Sequence, residues 1–391
     1  MRHLLVLLSF LLSACTLGSD AASPTTDATP AENVVMERVE SEAATFRVVE
    51  VMTDLEHPWA VTWLPDGRML IIERPGRLNL VNDEDATALS GLPEIAAENQ
   101  GGLLDVAVHP DYEENGWIYF TYSTYDADDN MGTVLSRARL SADETGLTDL
   151  EVLYEQQPFL PPDYHFGSRI RFHGDGTLYV TMGERGQRRE RTVDIPTPTA
   201  SVGATVRLNP DGTVPSDNPF VGDDEARPEV YTYGHRNQQG MAIHPQTGVV
   251  WQHEHGPHGG DELNVLEPGN NYGWPAITWG DTYSDQSPIG GTEAPGMEQP
   301  VTYWDPSIAP SGMTFYTGSQ FPGWENQILL GALAHQHIRR VVLDGTEVTH
   351  QEELVRNELG RIRDVRTGPD GYVYALTDAP AGSLYRLEPV E

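Results

Sequence analysis

One phrase recurs along this chain: a β-rich apolar run, a tight Gly-bearing turn, and a second β-rich run. It occupies residues 59–74, 103–122, 168–183, 240–256, 312–333 and 361–378. Alternating apolar residues around Asp-Gly-type turns predict a hairpin at each. A lone hairpin cannot bury both faces, so serial copies at roughly 45–75-residue spacing must stack on one another. No long helical pattern separates them. The predicted fold is therefore all-β, a six-bladed β-propeller, with a two-sheet sandwich or barrel as the alternative. Thr45–Thr53 is a spare strand able to close the ring by joining the last blade, and Asn209–Gly212 is a further turn inside one blade.

The phase of the repeats points to a site. A polar or aromatic group sits just before each inner run: His57 and Trp59, Gln100, His165, Arg236 with Asn237, Ser311, and Arg361 with Arg363. If each run is the innermost strand of its blade, all six groups open at one end of the central channel. Arg361 and Arg363 alternate by two and share a strand face, with Asp364 as a nearby carboxylate partner.

Charge and cysteine usage narrow the function classes. The 24 basic residues are all arginine, against 59 acidic ones, for a net charge of −35. Nucleic acid and anionic membrane surfaces are excluded as main partners, because phosphate binding needs a basic face. The single cysteine, Cys15, rules out disulfides, CxxC metal sites and a thiolate nucleophile in the body. Arg2 and His3 precede an apolar run, and Leu12-Ser13-Ala14-Cys15 resembles a bacterial lipobox. That implies a signal peptide over 1–14, a lipidated Cys15 with a disordered acidic linker over 15–44, and the propeller over 45–391. The expected protein is exported, periplasm-facing or on the outer membrane, and touches the membrane only through its N-terminal lipid.

Several motifs stand in order: Gln100-Gly-Gly-Leu-Leu-Asp105, His165-Phe-Gly-Ser-Arg169, Tyr233-Gly-His-Arg-Asn237, Glu254-His-Gly-Pro257, Gly260-Asp-Glu-Leu-Asn264, Asn271-Tyr-Gly-Trp-Pro275 and Gly360-Arg-Ile-Arg-Asp364. Over roughly residues 50–388 the chain resembles the soluble PQQ-dependent aldose sugar dehydrogenases of the glucose/sorbosone dehydrogenase family. The resemblance implies a six-bladed propeller holding PQQ and calcium at one mouth, and oxidation of an aldose at C1 to the lactone. The electrons pass to PQQ and on to an unidentified acceptor. By position, His165 matches the family's general base and Arg236 its electrostatic partner. Neutral imidazole suits that role near neutral pH, and an adjacent arginine keeps it neutral. Gln100, Asn237, Arg361 and Arg363 match cofactor contacts, with Arg236, Ser311 and Tyr283 beside them. Arginine forks suit a flat tricarboxylate. For calcium, an oxygen-seeking ion, the resemblance implies the Gly256 and Pro257 carbonyls, and a second site at Glu262 and Tyr272 with Asp261 as a helper.

One departure stands out. Where the family commonly has lysine after Gly-Ala-Leu, Gly331-Ala332-Leu333 is followed by Ala334, leaving His335 or Gln336 to reach the cofactor. Trp274 reads as core packing. His253, His255 and His258 form a pattern suited to a transition metal. It supports an alternative, a metal-dependent propeller hydrolase or lactonase; a further alternative is a non-catalytic propeller binding glycans or proteins. Sugar specificity is expected in loops such as 184–200 and 281–300.

Overall fold

The Asp-Gly turns use one local device. Asp66, Asp175 and Asp370 each accept, through Oδ1, the backbone N–H two residues on, at 3.0, 2.9 and 3.1 Å. The glycine that follows each takes a left-handed φ, +91°, +89° and +81°, which a side chain would strain. The hairpins so formed join the first and second strands of the first, third and sixth blades.

The computed structural model describes residues 1, 33–83, 85–161, 163–186 and 197–390. Cys15 and its lipobox lie outside these, as does most of the 184–200 loop. The described strands form six sheets, one five-stranded and five four-stranded. Their first strands are Pro58–Trp63, Leu103–Val108, Gly167–Phe172, Gln238–Ile243, Pro310–Phe315 and Ile362–Thr367. Each touches its neighbours in the next blades all the way round, closing a six-bladed propeller.

Stacking requires each inner hairpin to be apolar on both faces. In Met69–Glu73, Ile72 packs against the second blade while Ile71 packs against the sixth. Six hydrophobic clusters result, one between each pair of neighbouring blades. Each wholly buried aliphatic or aromatic side chain in them stabilises the fold by about 1.5–3 kcal/mol.

Ring closure comes from the N-terminal side of the body. Thr45–Leu55 pairs antiparallel with Gly382–Pro389, making the last blade from both ends of the chain. Phe46 and Val48 are fully buried in the cluster between the fifth and sixth blades. Val34–Glu40, placed by the sequence reading in the linker, instead forms a strand on the outer edge of Thr45–Leu55. Met36 and Val39 pack on the same cluster, which supplies the apolar contact that composition alone had not suggested.

Charge, rather than hydrocarbon, fills the centre. Asp105 accepts from Arg366 at 2.8 Å and lies 3.2–3.3 Å from Arg171 and Arg169; Asp364 pairs with Arg366 and Arg169. Asp105, Arg169 and Asp364 are wholly buried. Arg169 also donates to the Gln239 carbonyl at 2.7 Å and to the Arg363 carbonyl at 3.2 Å. This network fixes the backbone of Gln239 and Arg363, which line one mouth of the channel.

Candidate active site

Two adjoining hollows open at one end of the channel. The larger, ≈ 390 Å³, is lined by residues that include His57, Trp59, Arg74, Gln239, Arg361 and Arg363. The smaller, ≈ 330 Å³, is lined by His165, Arg236, Gly256, Pro257, Tyr283 and Asp305 among others. Gln100, Asn237, His255 and Ala309 border both. Each is of ligand-binding size. All the in-phase positions predicted to converge therefore do so, except one. Ser311 is fully buried and donates to the Ile362 carbonyl at 2.6 Å, tying the fifth blade to the sixth. The predicted role of Ser311 as a cofactor contact is corrected accordingly: its hydroxyl is engaged inside the sheet, and it lines neither hollow.

His165 enters the third blade with a left-handed φ of +57°, a conformation costing a non-glycine residue about 1–3 kcal/mol. Its backbone is held on both sides. The N–H donates to Gln100 Oε1 at 2.9 Å, and the carbonyl accepts from the Arg185 N–H at 3.3 Å. The imidazole Nδ1 lies 2.5 Å from Glu184 Oε1, and Glu184 is 1% exposed. A carboxylate only accepts, so Nδ1 carries the proton and the Nε2 lone pair is left for substrate. Burial and the Arg236 guanidinium push His165 down to about 4, against the opposing pull of Glu184. It is a neutral base at neutral pH. Glu184 went unread in the sequence, since it lies 19 residues after His165 with no motif of its own.

Arg236 is fixed by its backbone and its ring neighbour. Its N–H donates to Glu254 Oε2 at 2.5 Å, and Nη1 to the His255 carbonyl at 3.2 Å. The guanidinium lies 5.3 Å from the Trp274 ring, and Trp274 is buried, as core packing requires. Arg361 and Arg363 do share a face, but their common carboxylate is Asp378, at 3.2 and 2.7 Å, rather than Asp364. Asn237 accepts from Gly167 N–H at 3.3 Å and from Gln239 Nε2 at 3.1 Å. Tyr283 is 61% exposed on the rim, edge-on to His258 at 6.3 Å, on the His165 side rather than in the arginine-lined hollow.

These groups fit an anionic cofactor. Arg236 Nε and Arg363 Nε are buried donors without a hydrogen-bond partner among the described residues, a costly state that an anion would relieve. The calcium positions fall in two places. Gly256 and Pro257 line the His165 hollow, whereas Glu262 and Tyr272 line a separate small one with Glu254 and Gly256. Glu254 and Glu262 face each other across paired strands. Burial, then the Glu254 charge, raise the Glu262 carboxyl well above the usual range. Two carboxylates side by side, Glu254 buried and Glu262 half-buried, suit a hard cation. Asp261 acts differently from the expected helper: it accepts from Gly256 N–H at 2.8 Å, Ser307 Oγ at 2.9 Å and Ala309 N–H at 2.7 Å, bracing the turn.

The histidine cluster does not assemble. His253 is wholly buried, His255 lies 2.7 Å from the Pro310 carbonyl through Nε2, and His258 is exposed. Among the described residues no group of three or more His, Cys, Asp or Glu side chains could hold a metal. The geometry required by a His-metal hydrolase is absent there. No described helix is long and apolar enough to cross a membrane.

Comparison with known proteins gives the family. The Glucose / Sorbosone dehydrogenase family model matches residues 55–386. The aldose sugar dehydrogenase YliI of Escherichia coli K12 is 42% identical, over 87% of this chain and 92% of that protein. Quinoprotein glucose dehydrogenase B of Acinetobacter calcoaceticus is 29% identical, over 98% of this chain and 95% of that one. The PQQ-bound aldose sugar dehydrogenase structure from Streptomyces coelicolor superposes with a TM-score of 0.72 at 25% identity, covering 87% of this chain and 96% of that one. On the residues matched and the fold shared, the chain belongs to the glucose/sorbosone dehydrogenase family of sugar dehydrogenases.

Proposed function

We propose that this protein oxidises the C1 hydroxyl of an aldose to the lactone in a PQQ-dependent reaction, with His165 as general base. The observation that carries the reading is the Glu184–His165 pair opening beside two adjoining hollows, into one of which Arg236 and into the other Arg363 each bring a buried Nε with no partner among the described residues. Arg361, Arg363, Gln100, Asn237 and Gln239 would hold the flat tricarboxylate, with Trp59 as an apolar floor. When bound, PQQ supplies a two-electron acceptor for the hydride equivalent leaving C1.

The chain's own residues supply the rest. His165 Nε2 takes the C1 hydroxyl proton, so proton and hydride leave the sugar together and the carbonyl of the lactone forms. Glu184 fixes the imidazole tautomer and offsets the positive charge that proton transfer creates. Arg236 keeps the resting imidazole neutral and lends positive charge to the cofactor side of the mouth. The Gly256 and Pro257 carbonyls would hold calcium beside the cofactor, and Glu262 with the Tyr272 carbonyl a second, structural calcium. The electrons then pass to a separate acceptor, and the body is tethered to a membrane only through lipid on Cys15.

The test is reconstitution. Sugar-dependent dye reduction that requires PQQ and is lost in His165→Ala supports the reading. Failure of the purified protein to bind PQQ overturns it.

A further inference from the structure

We propose that Arg74 is a direct charge contact for the carboxylates of the bound cofactor. The proposal rests on the PQQ reading above and deepens it. Arg74 directly follows Met69–Glu73, the second strand of the first blade, and lines the larger hollow with Arg361 and Arg363. Its backbone is locked: its N–H donates to the His57 carbonyl at 3.0 Å, and its carbonyl accepts from Leu103 N–H at 2.9 Å. The guanidinium is pinned by one edge, where Nη1 donates to the carbonyls of Asn99 and Gly101. Those residues flank Gln100, so Arg74 and Gln100 are positioned by one loop.

The distribution of charge sets Arg74 apart within the larger hollow. This is a protein of net charge −35, and most of its described arginines pair with a carboxylate within 4.0 Å. Arg68, Arg77, Arg137, Arg207, Arg339 and Arg340 are examples. Arg74 has no such partner among the described residues. Burial lowers its pKa, with the Asp378 charge opposing that shift and the like-charged Arg363 adding to it. Nothing in the fold asks for a cation there, since hydrogen bonds to two carbonyls need only a neutral donor. The larger hollow carries Arg74, Arg361 and Arg363 against Asp378 alone, an excess of two positive charges. Without Arg74 the excess is one, because Asp378 already occupies both other arginines. A ligand with several carboxylates is what such a surplus selects.

The measurement is a titration of PQQ into the calcium-loaded protein, followed by the change in tryptophan emission expected from Trp59 in the same hollow. Arg74→Gln retains a donor for Asn99 and Gly101 and removes the charge. A charge-assisted bond is worth enough that Kd should rise about tenfold or more, while Arg74→Lys, which keeps the charge without the fork, should bind more tightly than Arg74→Gln. Wild-type binding with Arg74→Gln within about threefold overturns the proposal and leaves the PQQ reading intact. No PQQ binding by the wild type removes the PQQ reading itself, and this proposal with it. Arg74→His gives an independent reading if the glutamine variant does not fold. Its affinity relative to wild type should rise as pH falls from about 8 to about 5.5, and a flat ratio overturns the proposal.

Discussion

Glu184→Gln is the substitution that isolates how the base works. The change keeps the shape of a buried side chain and removes the carboxylate 2.5 Å from His165 Nδ1. In the resting enzyme the imidazole is neutral, so substrate binding should be little altered. During proton transfer it becomes imidazolium, beside Arg236, which disfavours that charge. Glu184 is the carboxylate in contact with it. Taking the charge centres about 4 Å apart and an effective dielectric of about 20, the lost attraction is about 4 kcal/mol. That corresponds to about a thousandfold in rate, with screening and relaxation making it an upper bound. Steady-state dye reduction by PQQ-loaded protein should show kcat reduced between about a hundredfold and a thousandfold, with KM nearly unchanged. Thermal melting of the variant should remain close to wild type. A kcat within about threefold of wild type would refute the claim that Glu184 supports the base.

Other consequences are as direct. Because His165 is held at about 4 by burial and Arg236, it is neutral above that value and protonated below. The kcat/KM profile should fall on the acid side only near that pH, and Arg236→Gln should move the acid limb upward. Asp105→Ala leaves Arg169, Arg171 and Arg366 short of a buried carboxylate; about 3–5 kcal/mol of stability should be lost, read by chemical denaturation. Phe46→Ala, in the closing strand, should cost about 3–5 kcal/mol in the same assay, whereas removing residues 33–40 should cost far less, since their side chains are half-buried or exposed. If Glu262 holds a structural calcium, chelation should lower the melting temperature of wild type and leave Glu262→Gln nearly unaffected.

Much of the architecture was legible because the turns are chemically explicit. Asp66-Gly67, Asp175-Gly176 and Asp370-Gly371 mark hairpins whatever lies around them, and with the three other recurrences of the same strand–turn–strand phrase they gave the blade count. Thr45–Thr53 was readable as the closing strand because it is β-rich and lies outside the six repeats. Val34–Glu40 was not, since Glu37, Arg38 and Glu40 hide a strand whose Met36 and Val39 pack on a cluster drawn mostly from residues 316–387. In the site, the positions preceding inner strands were predictable because a propeller carries them to one mouth. Glu184, Asp378 and Arg74 come from the ends of second strands and the turns after them, a register the phase argument did not cover. Ser311 shows the converse: it was in phase, yet its hydroxyl found the Ile362 carbonyl within the sheet. The Asp and Arg pairs at 169/171 and 364/366 alternate visibly, but only the closed ring shows that they meet at the axis.

The most direct test of the central claim is aldose oxidation by protein given PQQ and calcium together or singly, followed through artificial-dye reduction. The account predicts turnover that needs both additions, yields the lactone, and collapses in His165→Ala while PQQ binding persists. Turnover indifferent to PQQ, or undiminished in His165→Ala, would contradict it.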